Sequence, residues 1–259
     1  MTPLVFITGA SSGIGQALAL RYHAAGFRLA LVARRTTEVQ AWAQAQGMAG
    51  DRFQIYAADV SDIDAIVAAG QACITAQGVP NVVIANAGIS IGMDTSERSD
   101  LDVMRQTLAT NNVGLAATFH PFVSAMAQRG SGALVGIGSV AGIRGLPGHG
   151  AYCASKAAVI SYCESLRGEL KASGIHVVTI CPGYIDTPLT RQNRYAMPFL
   201  MSATDFAQQA FAVIQAGRSY CVIPWQMGLV AKLLRVLPNA VFDKALAGRA
   251  RKQRQPKLL

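Results

Sequence analysis

The chain has 259 residues, of which 51% are hydrophobic, and a formal net charge of +9 at pH 7. A chain of this length can bury about 70 to 75% of its surface, and the lack of internal repeats and Pro/Ser-rich linkers favours a single domain. No uncharged apolar stretch reaches the roughly 18 to 20 residues that cross a bilayer. The five cysteines and four histidines show no metal-ligand spacing, so we expect neither a membrane-spanning protein nor a metal site.

The N-terminal segment predicts a strand, a glycine-rich turn and a helix. The apolar run Leu4-Val-Phe-Ile-Thr precedes Gly9-Ala-Ser-Ser-Gly13-Ile-Gly15, which is followed by Gln16-Ala-Leu-Ala-Leu-Arg-Tyr. Glycines permit positive φ and let a phosphate approach the backbone, and the first N–H groups of a helix attract its charge. This context predicts a dinucleotide-phosphate site formed by Gly9, Ser11, Ser12, Gly13, Ile14 and Gly15.

The end of the second predicted strand, Arg28-Leu-Ala-Leu-Val-Ala, bears on cofactor choice. An acidic residue at this point would bind the ribose 2′-hydroxyl of NAD, but Ala33 stands there, followed by Arg34 and Arg35. Two cations without a carboxylate suit a 2′-phosphate. We therefore expect NADP(H) to be preferred over NAD(H). The alternative is that both arginines merely begin a solvent-exposed helix, and we expect one of them to face solvent.

Later apolar runs predict the rest of the sheet. Strands are expected at Val82-Val-Ile-Ala, at Ile175-His-Val-Val-Thr-Ile-Cys and, at an edge, at Tyr220-Cys-Val-Ile, with helices between them. Right-handed crossovers then give an α/β fold, a single-domain doubly wound parallel sheet of the Rossmann type with helices on both faces. The cysteines are expected to be reduced core residues; they are Cys73, Cys153, Cys163, Cys181 and Cys221.

Ser139, Tyr152 and Lys156 form a candidate proton-transfer group. Ser139 ends the predicted strand Ala133-Leu-Val-Gly-Ile-Gly, and open α/β sheets place their ligands at strand ends. Tyr152 and Lys156 are four residues apart in a segment that favours helix, so they share a face. A cation about 4 to 6 Å from a phenol lowers its pKa from about 10 by roughly two to three units. We expect Tyr152 to exchange a proton near neutral pH; the alternative for the pair alone is a chance spacing.

Together these motifs resemble the short-chain dehydrogenase/reductase family in its common short form. The resemblance runs from Thr8 to about Thr187. Six motifs occur in the family's order: the glycines Gly9, Gly13 and Gly15, then Asn86-Ala87-Gly88, then Asn111 with Gly114, then Ser139, then Tyr152 with Lys156, and finally Pro182-Gly183 with Thr187.

The resemblance implies roles for individual residues. It makes Tyr152 the general acid or base, Lys156 a ligand of the nicotinamide ribose, and Ser139 a support for the substrate oxygen. It makes Asn111 part of a water relay to the lysine, whereas Asn112 falls outside the Asn-x-x-Gly spacing and is interpreted as a polar helix residue. The implied cofactor site comprises the glycine turn, both arginines, Tyr152 and Lys156 together with Asp59, Val60, Asn86, Ala87, Gly88, Pro182, Gly183, Ile185 and Thr187.

Two residues near the site keep an alternative interpretation. Asp59 follows the predicted strand Phe53-Gln-Ile-Tyr-Ala-Ala and matches the family position that contacts adenine, but it could also cap the following helix. His149 lies close enough to the site to touch substrate, yet we interpret it as a loop residue in contact with water.

The segment from Leu189 to Met201 corresponds to the family's mobile substrate lid. Its apolar side chains suggest a lipophilic ketone, aldehyde or alcohol, although a lid needs apolar side chains merely to close.

The sequence is thus interpreted as an NADP(H)-dependent oxidoreductase acting on a carbonyl or alcohol. The alternative is a non-catalytic dinucleotide-binding regulatory or scaffold protein on the same fold. The resemblance also predicts a homodimer or homotetramer, paired through helices around residues 111–128 and 152–171.

Positive charge is concentrated at the C-terminus, where residues 232–259 contain eight basic residues and one acidic residue, Asp243. We divide the chain into a catalytic domain, residues 1–226, which includes the lid at about 189–201, and a basic helical extension, residues 227–259. Such an extension can lie at an anionic membrane surface; the alternative is a solvated tail on helices that pack against the body or another subunit. No nucleic-acid-reading motif accompanies the charge.

The N-terminal strand runs straight into the glycine turn without a secretory signal, so we expect a cytoplasmic protein, free or peripheral at a membrane.

Overall fold

Strands and helices alternate along the chain in the computed structural model, which describes residues 2–193, 195–248 and 252–254. The strands are β1 (Leu4–Thr8), β2 (Arg28–Ala33), β3 (Phe53–Ala57), β4 (Val82–Ala85), β5 (Gly132–Ile137), β6 (Ile175–Pro182), β7 (Ile185–Asp186), β8 (Met201–Ser202) and β9 (Tyr220–Ile223). The helices are α1 (Gly13–Ala24), α2 (Thr36–Ala45), α3 (Ile63–Gln77), α4 (Asp100–Leu108), α5 (Gly114–Arg129), α6 (Gly150–Glu169), α7 (Ala203–Gln215), α8 (Trp225–Val236) and α9 (Asn239–Leu246).

Seven of the strands form one parallel sheet in the order β3-β2-β1-β4-β5-β6-β9. The strand β1 lies between β2 and β4, so the direction of chain progression reverses at this point. In open α/β sheets, ligands bind outside the carboxyl ends of the strands at such a reversal. The predicted fold class, a doubly wound parallel sheet with β9 at an edge, is confirmed.

Both faces of the sheet are buried because successive side chains of a strand point to opposite sides. In β1, Val5 and Ile7 belong to the core under α1 and α7, whereas Leu4 and Phe6 belong to the core under α3 and α5. The near-continuous apolar strands that the sequence shows are typical of this two-sided burial. Four of the five cysteines are buried, as expected for core residues, and Cys221 is partly exposed.

Three local features were not predicted. They are a π-helical turn, Ala109–Val113, which separates α4 from α5, and the short strands β7 and β8, which pair with each other and bracket the predicted lid.

The predicted division before Met227 falls inside α8, whose buried Met227 and Ala231 pack on the body. In the parts of the chain that the structure describes, no helix has the length and hydropathy of a membrane span, and no cluster of three His, Cys, Asp or Glu side chains could hold a metal.

Candidate active site

The turn between β1 and α1 has the backbone that its glycines predict. Gly9 and Gly13 have φ values of 69° and 55°, a region that residues with a side chain rarely adopt. A Cβ atom on Gly15 would overlap the carbonyl oxygen of Gly9, so Gly15 lets α1 pack closely behind the turn. Ser11, Ser12 and Gly13 border the cavity, whereas Gly15 is not among its bordering residues, and its contact with the cofactor stays a prediction.

We expect Gly15→Ala to disrupt this turn. Overpacking in a rigid site costs about 1 to 3 kcal/mol, so the free energy of unfolding in urea should fall by about that amount, and dinucleotide affinity should fall with it. Gly168→Ala is the matched control because Gly168 lies on the exposed surface of α6 and its added methyl group would meet nothing. That control should be neutral or stabilising by up to about 1 kcal/mol; equal effects of the two variants would contradict the packing role.

Asn86 holds the glycine turn against β4. Its amide nitrogen donates to the carbonyl oxygens of Thr8 at 3.0 Å and Gly9 at 3.4 Å. In return, the Thr8 hydroxyl accepts hydrogen bonds from the backbone N–H groups of Asn86 and Ala87. Asn86 borders the cavity as predicted, but its side-chain donors are committed to the turn, which makes it a positioning residue.

A cavity of about 610 Å³ opens at the carboxyl ends of β1, β2, β4 and β5, which is within the range of cofactor sites. With the exception of Gly15, every predicted cofactor-contacting residue borders it: Gly9, Ser11, Ser12, Gly13, Ile14, Arg34, Arg35, Asp59, Val60, Asn86, Ala87, Gly88, Tyr152, Lys156, Pro182, Gly183, Ile185 and Thr187. Polar residues that the sequence analysis did not predict also border it: Ser61, Gln106, Thr110, Thr190 and Gln192. Their segments carry no pattern that marks a polar side chain as facing a ligand.

Both arginines after β2 reach the end of the cavity near the glycine turn. Arg35 donates to the Ser11 hydroxyl at 3.2 Å and pairs with Glu38 at 3.0 Å, whereas Arg34 pairs with Asp59 at 3.3 Å. We expected one of them to face solvent, but both border the cavity, although both also keep much of their surface exposed. The two guanidinium groups and the Ser11 hydroxyl place hydrogen-bond donors and positive charge at this end.

The predicted alternative role of Asp59 as a helix cap is wrong. The cap of α3 is Asp62, whose side chain accepts a hydrogen bond from the backbone of Ala65. The Asp59 carboxylate instead accepts from the N–H and hydroxyl groups of Ser61 and from Arg34. Burial opposes ionisation of this carboxylate, but its hydrogen bonds together hold its pKa below the usual value.

The three residues of the predicted proton-transfer group meet beside the cavity. Ser139 lies just beyond β5 and hydrogen-bonds Tyr152 in the first turn of α6. Lys156, one turn further along α6, is buried. Its ammonium donates to the carbonyl oxygen of Ile137 at 2.8 Å and lies 5.8 Å from the centre of the Tyr152 ring. The strand end and the helix face therefore bring these groups together as the spacing predicts.

The expected lowering of the Tyr152 pKa is wrong for this structure. Burial raises the pKa of Tyr152, and its hydrogen bond with Ser139 opposes that rise only in part. Burial also lowers the pKa of Lys156 to about 8, because the ammonium is desolvated and directed to Ile137. Helical spacing places the two side chains on one face, but it does not determine how much water the surrounding protein removes.

Asn111 lies in the π-helical turn and connects three parts of the site. Its side-chain oxygen accepts from the N–H of Ile89 at 2.8 Å, and its amide nitrogen donates to the carbonyl of Ile89 and to the hydroxyl of Ser155. Asn112 was interpreted only as a polar helix residue, but it donates to the carbonyl of Ser155 at 2.8 Å. Asn111 thus links the loop after β4 to the helix that carries Tyr152 and Lys156, and Asn112 fixes the π-helical turn to the same helix.

The predicted lid contacts the start of α6. The hydroxyl of Tyr195 lies 3.3 Å from Nε2 of His149, whose Nδ1 lies 3.1 Å from the carbonyl oxygen of Pro147. His149 is buried rather than in contact with water as expected, and this burial lowers its pKa. Leu189, Phe199 and Leu200 of the lid are exposed.

Residues 252–254, which we term the C-terminal strap, return to the body beside the lid. Arg254 makes a bidentate ion pair with the buried Asp100, with distances of 2.6 and 3.1 Å, and Gly92 donates to the carbonyl of Gln253 at 2.9 Å. Lys252 donates to the side-chain oxygen of Asn193 in the lid. This arrangement has no local signal in the sequence because the paired residues lie 154 positions apart.

We expect Asp100→Asn to loosen the C-terminal strap, because loss of the negative charge weakens a bidentate charge-assisted contact. Limited trypsin digestion, followed by mass spectrometry, should then release fragments ending at Lys252 or Arg254 at least about fivefold faster. Asp102→Asn is the control, since Asp102 pairs with Arg98 and Arg105 on the exposed surface of α4. Equal cleavage rates in both variants would contradict the contact.

A parallel doubly wound sheet with a glycine-rich turn at its reversal point defines the class of dinucleotide-binding α/β proteins. The family model described as short chain dehydrogenase matches residues 3–197. The chain is 37% identical over 239 residues to an uncharacterized oxidoreductase of Myxococcus xanthus, which covers 92% of this chain and 94% of that protein. It is 32% identical to dehydrogenase/reductase SDR family member 7B of Bos taurus, over 98% of this chain and 83% of that protein.

Solved structures show the same fold. A short-chain dehydrogenase of Sphingobium yanoikuyae in complex with NADPH is 26% identical, with a TM-score of 0.77, over 92% of this chain and 97% of that one. A short chain dehydrogenase/reductase of Burkholderia phymatum in complex with NAD is 24% identical, with a TM-score of 0.82, over 100% and 98% of the two chains. The protein belongs to the short-chain dehydrogenase/reductase family of oxidoreductases.

Proposed function

We propose that the protein is an NADP(H)-dependent oxidoreductase that transfers a hydride between nicotinamide and a carbonyl or alcohol carbon. The observation that carries the proposal is the meeting of Ser139, Tyr152 and Lys156 beside the same cavity that Arg34 and Arg35 border at its other end. One end of the cavity thus offers groups for proton transfer, and the other offers cations for a phosphate.

The chemistry divides between cofactor and protein. A bound nicotinamide supplies or accepts the hydride, which carries two electrons to or from the substrate carbon. During reduction the Tyr152 hydroxyl gives its proton to the substrate oxygen and regains one from solvent, while the Ser139 hydroxyl hydrogen-bonds the same oxygen. A raised Tyr152 pKa keeps the phenol protonated at neutral pH, which suits the role of acid in carbonyl reduction.

The choice of NADP(H) rests on residues of this chain. Ala33 offers no carboxylate to a ribose 2′-hydroxyl, and Arg35 already donates to Ser11 of the glycine turn. Arg34 borders the same cavity and pairs with Asp59, which also binds Ser61, whereas Arg35 pairs with Glu38. A 2′-phosphate at this position would gain both guanidinium groups as partners, whereas NAD would leave them paired with Asp59 and Glu38 alone.

Apolar lid side chains support a lipophilic substrate. Leu189 borders the cavity, and Phe199 and Leu200 remain exposed at the surface of the lid. We further propose a homo-oligomer paired through α5 and α6, because Val113, just before α5, and Tyr162, on α6, are exposed. We also propose a cytoplasmic location, which suits free cysteines.

The test is a screen of ketones and aldehydes that follows NADPH absorbance, with NADH measured in parallel. The proposal predicts turnover of at least one apolar carbonyl compound and a clear preference for NADPH. If NADPH binds but no compound in a broad panel is reduced or oxidised, the alternative of a dinucleotide-binding regulatory or scaffold protein gains. Comparable use of NADH would overturn the proposed role of Arg34 and Arg35.

A further inference from the structure

Helix α8 is apolar on two opposite faces. Its inner face, with Met227 and Ala231, is buried, and Met227 packs over Gly183 just after β6. Its outer face carries Trp225, Leu229, Leu233 and Val236, which follow one another at intervals of four, four and three residues. We term these four side chains the outer stripe. No part of the chain that the structure describes covers the outer stripe, and an exposed apolar surface of this kind is a candidate site of association.

The outer stripe is among the most exposed apolar surfaces in the described chain. The exposed fractions are 67% for Trp225, 59% for Leu229, 61% for Leu233 and 76% for Val236. Val241 of the following helix, α9, is also exposed, and Lys244 lies three residues later on the same face. Large exposed apolar patches mark sites of association.

The helices that carry this surface are held rigidly. Arg144, from the loop after β5, donates to the carbonyl oxygens of Leu234 and Leu237 where α8 ends and to the side chain of Asn239 at the start of α9. The same guanidinium stacks 3.8 Å from the centre of the buried Phe242 ring. The outer stripe is therefore a fixed surface of the folded protein rather than the face of a loosely attached tail.

The charge around the outer stripe is positive. Lys232 and Arg235 of α8 are exposed next to it, and Lys244 is exposed on α9. In the described residues 225–248, which carry the outer stripe, these three basic residues stand against one acid, Asp243. In a two-fold contact between copies, each surface would face its own duplicate, so cations would meet cations. That repulsion argues against a second copy as the occupant.

We propose that the outer stripe and its surrounding cations dock on an anionic phospholipid surface. Apolar side chains of an interfacial helix enter the boundary between headgroups and acyl chains, with tryptophan favoured at that depth, while cations at the edge bind acidic headgroups. Lys232 and Arg235 have long aliphatic stems that let their charges reach the headgroups while the stripe is buried. The protein would thus bind peripherally, with the body of the sheet outside the bilayer, and this holds whether or not the proposed activity is correct.

Trp225 supplies a direct probe, because the chain has only two tryptophans. Trp42→Phe, at a partly buried position on α2, leaves Trp225 as the single fluorophore in the full-length protein. We expect a blue shift of emission on adding phosphatidylcholine vesicles that contain phosphatidylserine, and quenching when the acyl chains are brominated. Vesicles of phosphatidylcholine alone should give little of either change. Flotation of the unaltered protein with the same vesicles keeps the test valid if Trp42→Phe fails to fold.

Two double variants separate the apolar and electrostatic contributions. Leu229→Gln with Leu233→Gln, and Lys232→Gln with Arg235→Gln, should each lower the vesicle partition coefficient by at least about tenfold. The matched controls are Ile63→Gln with Leu101→Gln and Arg167→Gln with Lys171→Gln, which change exposed positions elsewhere and should leave binding unchanged. NADPH turnover in vesicle-free buffer should be the same in all of them.

Three outcomes would overturn the proposal. The first is the absence of blue shift and flotation with anionic vesicles, and the second is equal binding to neutral vesicles. The third is a pair of results for the Leu229→Gln, Leu233→Gln variant: sedimentation velocity shows a smaller oligomer than for the unaltered protein, while flotation is unchanged. That combination would assign the outer stripe to a contact with a second copy. Loss of turnover in the screen described above would leave the vesicle results unaffected, so the two proposals fail separately.

Discussion

Tyr152→Phe is expected to lower kcat for carbonyl reduction by about a hundredfold to ten-thousandfold, with the Kd of NADPH changed by less than about threefold. The substitution removes the hydroxyl that hydrogen-bonds Ser139 and keeps the ring that packs beside Lys156. Steady-state turnover measures the first effect, and quenching of protein fluorescence by NADPH measures the second. A large loss of rate with binding intact would identify the phenol as the proton donor.

The control for this variant is Tyr162→Phe on the same helix. Tyr162 is exposed, and removal of its hydroxyl should leave kcat and Kd unchanged. Residual activity of Tyr152→Phe within about tenfold of the unaltered protein would be too large for loss of a general acid. That result would transfer the proton donor to another group.

The second large effect is expected at the cofactor end of the cavity. Replacing Arg34 and Arg35 together with Gln should weaken NADPH binding by about 10- to 100-fold, since a hydrogen bond to a charged group contributes about 1.5 to 3 kcal/mol. NADH affinity should change by less than about threefold because NADH lacks the 2′-phosphate. Isothermal titration with both cofactors measures the difference directly.

A matched pair of arginines controls for overall charge. Arg98→Gln with Arg105→Gln removes two charges as well; Arg98 lies just before α4 and Arg105 on it, and both are exposed and pair with Asp102. This control should leave both affinities unchanged. If it weakens NADPH binding as much as the Arg34 and Arg35 variant does, long-range attraction rather than local contact with the phosphate would explain the effect.

Patterns that involve neighbouring residues were predicted correctly. The glycine turn and its flanking strand and helix follow from positive φ values and apolar periodicity over about 20 residues, and the parallel sheet follows from apolar runs alternating with helical segments. The spacing of Tyr152 and Lys156 places both on one helix face, as the structure has them. Each of these inferences uses local geometry that the polypeptide obeys in any surroundings.

Errors arose where two local interpretations were equally good or where solvation mattered. Asp59 and Asp62 both precede α3, and only the backbone path selects Asp62 as the cap. The pKa of Tyr152 was assigned the wrong direction because proximity to a cation was weighed without the burial that acts on both groups.

The order of residues along the chain was enough to predict the family, the doubly wound fold and many, though not all, of the residues that border the cavity. Folding in three dimensions was needed for contacts between distant segments, such as Arg254 with Asp100 and Arg144 with the ends of α8 and α9. It was also needed to see which face of α8 remains uncovered. The reason is physical: backbone propensity and periodicity act over a few residues, whereas burial and ion pairing depend on the packing of the whole chain.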